Sequence, residues 1–168
     1  MKTFKEYLIE NYSLLTSFTI YHGSDDPNLT IEKIKDVAPR ALGKGFYGFE
    51  RNKVKGKYIY EVKVEGNFLE GQQQMPYDLL NKILLKYPKI KPILLNILQT
   101  EIPETQIEDL ELCTTEDILY SFIKFFDVNN VNEIFKSFNI DGLRNLITHN
   151  FMETVVYNYQ SIKSVRLI

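Results

Sequence analysis

The sequence predicts an α+β fold, and three observations carry that prediction. Residues 58–65 (YIYEVKVE) alternate, with Tyr58, Tyr60, Val62 and Val64 on one face and Glu61, Lys63 and Glu65 on the other. That is the period of a half-buried strand. From about 75 to 138 the apolar residues recur at helical spacing instead. After Asp141-Gly142 the texture returns to strand, at 153–157 and 162–168. Strands, then helices, then strands read as a single domain over 1–168, with a helical block at about 75–138 inserted into or flanking a sheet.

Taken in order, Phe4, Tyr7, Leu8, Tyr12 and Leu15 predict a short amphipathic helix at the start. Residues 17–22 (SFTIYH) are β-rich and stop at the turn Gly23-Ser24-Asp25-Asp26-Pro27. Leu29, Ile31 and Ile34 predict a short helix over 29–37 closed by Pro39, followed by a glycine-containing loop over 42–48. In the helical block, Leu79, Leu80, Ile83, Leu84 and Tyr87 form one stripe, ended by Pro88. Pro92 opens a second helix in its first turn, where a missing N–H costs nothing, ahead of Ile93, Leu94, Ile97 and Leu98. Thr114, three residues before Asp117, predicts the N-cap of a helix bearing Ile118, Leu119, Phe122, Phe125 and Phe126. Asn130 with Glu133 predicts a capping box before Ile134, Phe135 and Phe138.

Composition narrows the function classes. At 168 residues and 19.7 kDa the chain can bury a sizeable core, and its 44% hydrophobic content, with 11 Tyr and 11 Phe, excludes a disordered protein. Twenty basic against 22 acidic residues leave a charge of −2, which excludes a chain-wide basic field for gripping a phosphate backbone. One Cys rules out an internal disulfide and a multi-thiolate zinc site, and two His with no tight His/Cys/Asp cluster predict no metal. Acidic residues and the lack of a continuous apolar stretch at the start argue against a signal peptide. No run approaches the ~18 apolar residues that span a bilayer. A cytoplasmic protein with no membrane partner is expected.

Three segments could carry chemistry: YHGS at 21–24, LGKGFYGF at 42–49 and METVVYNYQSIKSV at 152–165. Singly, each has a plain reading. His22 is a histidine at a strand end, Glu153 an edge residue, and Gly43-Lys44-Gly45 a turn lacking both the dinucleotide fingerprint and the GK[ST] of a P-loop. Together and in this order they resemble the ADP-ribosyltransferase family, in the His-Tyr-Glu branch that includes diphtheria toxin and poly(ADP-ribose) polymerase. The motif positions fall on His22, Tyr47 and Glu153, and Tyr58 stands eleven residues after Tyr47, where the branch has a second aromatic. The resemblance covers about 18–65 and 140–166 and leaves the helical block unmatched.

The resemblance implies a split β-sheet core with a helical insertion, NAD as substrate, and no metal. It implies that the Gly23 backbone pairs with the nicotinamide carboxamide and that Tyr47 and Tyr58 sandwich the ring. His22 and Ser24 would hold the adenosine ribose. Glu153 would bond the nicotinamide-ribose 2-hydroxyl, stabilise the cation and steer or deprotonate the acceptor. These residue types suit glycosidic cleavage through an oxocarbenium-like transition state, which needs a held leaving group and negative charge beside the developing cation. Departures from the branch are Lys55 in place of a small hydroxyl residue, and Gly48 where Phe or Thr usually follows the loop Tyr. Phe151, two residues before Glu153, is neither Glu nor Gln, which points away from arginine modification. The loop just before the catalytic strand usually recognises the acceptor in this family. Here it offers Arg144, Asn145, Thr148 and His149, suited to a base, a phosphate or a protein backbone.

The expected function is mono-ADP-ribosyl transfer from NAD to a macromolecular acceptor, protein or nucleic acid, by a microbial or phage effector or toxin. The helical block would shape acceptor choice or bind an antitoxin or inhibitor. A NAD glycohydrolase, an RNA 2′-phosphotransferase and a non-catalytic interaction module are the alternatives. Cys113 is expected to be a buried or semi-buried small apolar residue.

Overall fold

The computed structural model describes residues 15–34, 40–148 and 151–168. Its fold is mixed α+β, built on a closed five-stranded β-barrel. The helix expected near the start falls on residues outside those described, apart from Leu15, which opens a strand. Of the helix expected over 29–37, residues 29–30 are not helical, α1 (Ile31–Ile34) is, and 35–37 lie outside the described residues.

Strand β1 (Leu15–Ser24) lies antiparallel between β3 (Tyr58–Glu70) and β2 (Phe46–Phe49). β2 pairs with β5 (Phe151–Val156), and β5 pairs with β4 (Gly142–Thr148). The ring closes where the last residues of β3, Phe68 to Glu70, pair in parallel with Gly142 to Arg144 of β4. β6 (Ile162–Leu167) continues the sheet outside the ring, antiparallel to 60–64 of β3. β3 therefore serves β1 along one edge, and β6 then β4 along the other. A parallel pair needs a long crossover, and the helical block supplies it between β3 and β4.

The alternation read from 58–65 is the alternation observed. Tyr60, Val62, Val64 and Phe68 join Ile20, Phe46, Val156 and Ile162 in one apolar cluster, with Phe18 and Tyr58 packed against it. Tyr47, Leu69, Leu143, Leu146 and Val155 belong to a second, larger cluster shared with the helices. Those helices are α2 (Tyr77–Lys86), α3 (Lys91–Glu101), α4 (Thr115–Phe125) and α5 (Val131–Ser137), linked by short 3₁₀ turns. The start of the block is stitched to the start of α4, midway along it: the Met75 N–H donates to the Cys113 carbonyl at 2.9 Å, and the Glu116 N–H to that of Gly71 at 3.0 Å. Cys113 is fully buried at this seam, and burial pushes its thiol up to about 12, so it is an inert packing residue.

Three readings of the sequence need correction. Phe46, Tyr47 and Gly48, expected as loop, belong to strand β2. Phe46, Tyr47 and Gly48 are all buried, so no alternation marks it. Arg144, Asn145 and Thr148, also expected in a loop, lie on β4, where a register irregularity between Leu143 and Leu146 interrupts the two-residue period. Asn145 takes a left-handed backbone there (φ 52°). Asn130 makes no side-chain cap, because Glu133 is engaged with Asn132 and Lys136 instead. Thr114 does cap α4: its hydroxyl accepts the Asp117 N–H at 3.2 Å while the Asp117 carboxylate accepts the Thr114 N–H at 2.7 Å.

Phe122 sits at the centre of the helical cluster, fully buried, with Tyr87 and Phe135 edge-on to it at 5.8 and 5.4 Å. Phe122→Ala is expected to cost about 3–5 kcal/mol, and Thr114→Ala about 1 kcal/mol. Urea unfolding followed by far-UV circular dichroism checks both values and their order.

Candidate functional site

His22, Tyr47 and Glu153 lie on β1, β2 and β5, three strands adjacent in the sheet. Tyr21 pairs with Phe49, and Phe49 pairs with Glu153, so these three form a cross-strand row with their side chains on one face. Tyr47, two residues before Phe49, shares that face with its partner Val155. His22 points the other way, its ring 4.5 Å from that of Phe46.

The β1–β2 ladder consists of the single pair Tyr21 and Phe49. Beyond it, the His22 side chain takes over the connection: Nδ1 lies 2.7 Å from the Tyr47 carbonyl oxygen. A carbonyl only accepts, so Nδ1 carries the proton and Nε2 of the neutral ring is an acceptor. Burial holds the His22 pKa below its ordinary value of 6.5, against the pull of the Tyr47 carbonyl, and the nearby Arg40 charge lowers it further. At neutral pH His22 is an uncharged acceptor suited to a hydroxyl group.

Tyr47 is 2% exposed. Its hydroxyl donates to the Gly43 carbonyl at 2.6 Å, and the Arg40 guanidinium lies 5.3 Å from its ring centroid. Burial, reinforced by the charge of Glu153, raises its pKa well out of reach, so Tyr47 is no proton donor or acceptor in ordinary titration. Tyr58 is half-buried at the start of β3 and packs against the other apolar cluster, with the Lys57 ammonium 5.4 Å from its ring centroid. The two aromatics expected to sandwich a ligand thus belong to different clusters. Ser24 pairs with Tyr58 across the ladder, and its hydroxyl accepts the Asp26 N–H at 3.1 Å. Gly23 is required by packing: a Cβ there would run into the Lys55 carbonyl of the β2–β3 connection.

Glu153 is half-buried, and Thr148 donates its hydroxyl to Oε2 at 2.8 Å. The two residues are five apart across the β4–β5 hairpin, and His149 lies outside the described residues. Arg144 and Asn145 turn away from this site to Glu70, at 3.3 and 2.5 Å, and the Arg144 guanidinium also covers Phe18 at 4.0 Å. Among the described residues, no group of His, Cys, Asp and Glu could hold a metal ion.

The helical block brings further groups that sequence reading missed. Glu116, at the start of α4, accepts from the Ile147 N–H at 3.4 Å, from Gln72 and from Tyr120. Burial raises the Glu116 pKa, and burial together with the charges of Glu116 and Glu153 raises that of Tyr120. Only their helical spacing of four residues is legible in the sequence; their approach to β4 and Glu153 is tertiary. Arg40 was missed as well, because nothing local sets it apart from a surface cation.

No protein-family model, no curated protein and no solved structure matches the chain.

A histidine whose pKa is depressed on folding binds fewer protons in the native state. Its contribution is present above the unfolded value near 6.5 and is lost as pH falls through the folded value. Stability should therefore decline as pH drops below 6.5, with a shallower slope in His22→Gln. Urea midpoints taken between pH 7.5 and about pH 5 test this.

Proposed function

We propose that the protein transfers ADP-ribose from NAD to a macromolecular acceptor and releases nicotinamide, as a cytoplasmic effector or toxin on an ADP-ribosyltransferase-like split-sheet core. The observation that carries the reading is the convergence of His22, Tyr47 and Glu153 from distant parts of the chain onto three neighbouring strands. The His22 bond to the Tyr47 backbone and the Phe49–Glu153 pairing tie those strands together. The early end of the β1–β2 ladder supports the split-sheet reading, since His22, Gly23 and Ser24 run on past the single β1–β2 pair.

In this reading His22 accepts from a ribose hydroxyl through Nε2, and the Gly23 backbone pairs with the carboxamide. Tyr58 contacts the nicotinamide, and Tyr47, buried and tied to the Gly43 carbonyl, fixes β2 beside it. Such aromatic contacts contribute about 0.5–1.5 kcal/mol each beyond area burial. The glycosidic bond between nicotinamide nitrogen and ribose C1′ breaks, its electron pair leaving on nicotinamide. Glu153, oriented by Thr148, places negative charge beside the oxocarbenium-like C1′. The acceptor oxygen or nitrogen bonds to C1′ and gives up its proton to the Glu153 carboxylate.

The test incubates wild type and Glu153→Gln with NAD radiolabelled in the adenylate phosphate and a cell lysate, following nicotinamide release and macromolecular label. Label is expected in the wild type and reduced by about 10²–10⁴-fold in Glu153→Gln. Protease and nuclease digestion then identify the acceptor class. Nicotinamide without label would mean water is the acceptor, a glycohydrolase. Neither binding nor cleavage of NAD would leave an interaction module.

A further inference from the structure

We propose that the sheet face around Glu153 and the connection between β2 and β3 together bind single-stranded nucleic acid. In the transfer reading above, on which that role rests, the strand is the acceptor. The connection at 51–57 (RNKVKGK) holds four cations and no acid, in a chain whose net charge is −2. Arg51, Lys53, Lys55 and Lys57 are all exposed. Among the described residues none of them pairs with a carboxylate, whereas Lys33, Lys136, Arg144 and Arg166 each do. Backbone packing holds the connection in place. A Cβ on Gly23 would run into the Lys55 carbonyl, and one on Gly56 into the backbone of Gly23 and Ser24. Directly after Phe49 the Lys53 N–H closes a turn, donating to the Glu50 carbonyl at 3.0 Å.

The connection therefore leaves the sheet next to Phe49, the cross-strand partner of Glu153. The face that carries Glu153 also carries three aromatic rings: Tyr21 and Phe49 in its cross-strand row, and Phe151 two residues before it on β5. Tyr21 and Phe49 are half-buried, and Phe151 is 40% exposed. Among the described residues none of the three belongs to either apolar cluster or pairs with another ring. Unpaired cations beside open aromatic faces are what holds a single strand: the cations follow the phosphates while bases stack on the rings. An acidic protein segment would use the cations and leave the rings idle. A duplex, whose bases stack on one another, would do the same. In the transfer, an oxygen or nitrogen of the bound strand bonds to C1′ as nicotinamide leaves, and its proton passes to Glu153.

The experiment measures fluorescence anisotropy of labelled single-stranded oligonucleotides of mixed sequence, one DNA and one RNA, without NAD. Four phosphate contacts predict that wild type loses about 50-fold in affinity between about 50 and 200 mM salt. The triple variant Arg51→Ala, Lys53→Ala, Lys55→Ala should lose only about threefold over the same range. Lys82→Ala, Lys89→Ala, Lys124→Ala removes three exposed cations of the helical block instead and should keep the wild-type slope. Phe151→Ala should weaken binding about 5- to 150-fold with the slope unchanged. The proposal is overturned by no binding in the wild type, a wild-type slope in the first triple variant, or an equal loss of slope in the second. Undiminished binding by Phe151→Ala, or equal competition by polyglutamate or by the duplex, overturns it as well. Each of these leaves the NAD reading standing. Adding NAD radiolabelled in the adenylate phosphate then tests the acceptor role. Label on either oligonucleotide supports it, and nicotinamide release without label overturns it. Neither product would overturn the NAD reading and the acceptor role with it, leaving the binding surface.

Discussion

The closure of the ring between β3 and β4 is the constraint on which the rest of the structure depends. It consists of three residue pairs, Phe68 to Glu70 against Gly142 to Arg144, a short seam for a junction that spans the whole helical block. Side chains reinforce it. The Asp141 carboxylate accepts the Asn67 N–H and the Asn158 amide, both at 2.7 Å, while Arg144 and Asn145 converge on Glu70. The Asp141 backbone adds to this, its N–H donating to Asn67 and its carbonyl accepting from Tyr157, each at 2.7 Å. Partly buried charged hydrogen bonds of this kind are strong because each partner would be costly to leave unpaired. With β4 fixed on β3, β5 has its place between β4 and β2, and Glu153 faces Phe49.

The helical block is coupled to the same seam. Leu143, Leu146, Val155 and Tyr47 are part of the helical core rather than of a separate sheet core, so helices and site strands share one packing unit. Removing buried apolar partners costs several kcal/mol per large side chain, so the helices are structural support for the strands that hold Tyr47 and Glu153. They also set the local polarity. Glu116 is held between Gln72 and the Ile147 N–H, and its charge and that of Glu153 both hold the Tyr120 hydroxyl in its neutral form. Arg40 places a positive charge over the Tyr47 ring.

Much of this was legible locally. The alternation of 58–65 located the longest strand, Thr114 with Asp117 marked a helix start, and the three short motifs singled out residues on adjacent strands. What stayed hidden did so for identifiable reasons. β2 is short and enclosed by both clusters, so its Gly-rich text reads as loop although Tyr47 and Gly48 are strand residues. β4 carries an irregularity at Asn145 that breaks its period, and Glu70, the partner that engages Arg144 and Asn145, is more than seventy residues away. The opposite orientation of Tyr47 and Tyr58 depends on sheet register, which no single strand encodes.

The strand order has a consequence for biosynthesis. β1, with His22, is made early, but the strand that must lie two places away from it, β5, follows the entire helical block. Until a ribosome has translated past Glu153, β2 lacks its partner and the emerging polypeptide holds only part of the constellation. A prematurely terminated fragment ending after β2 and before β5 carries His22 and Tyr47 but not Glu153. The arrangement of β1, β2 and β5 therefore completes only when translation has run through the β4–β5 hairpin, and a chain truncated upstream of it lacks the strand that β2 pairs with.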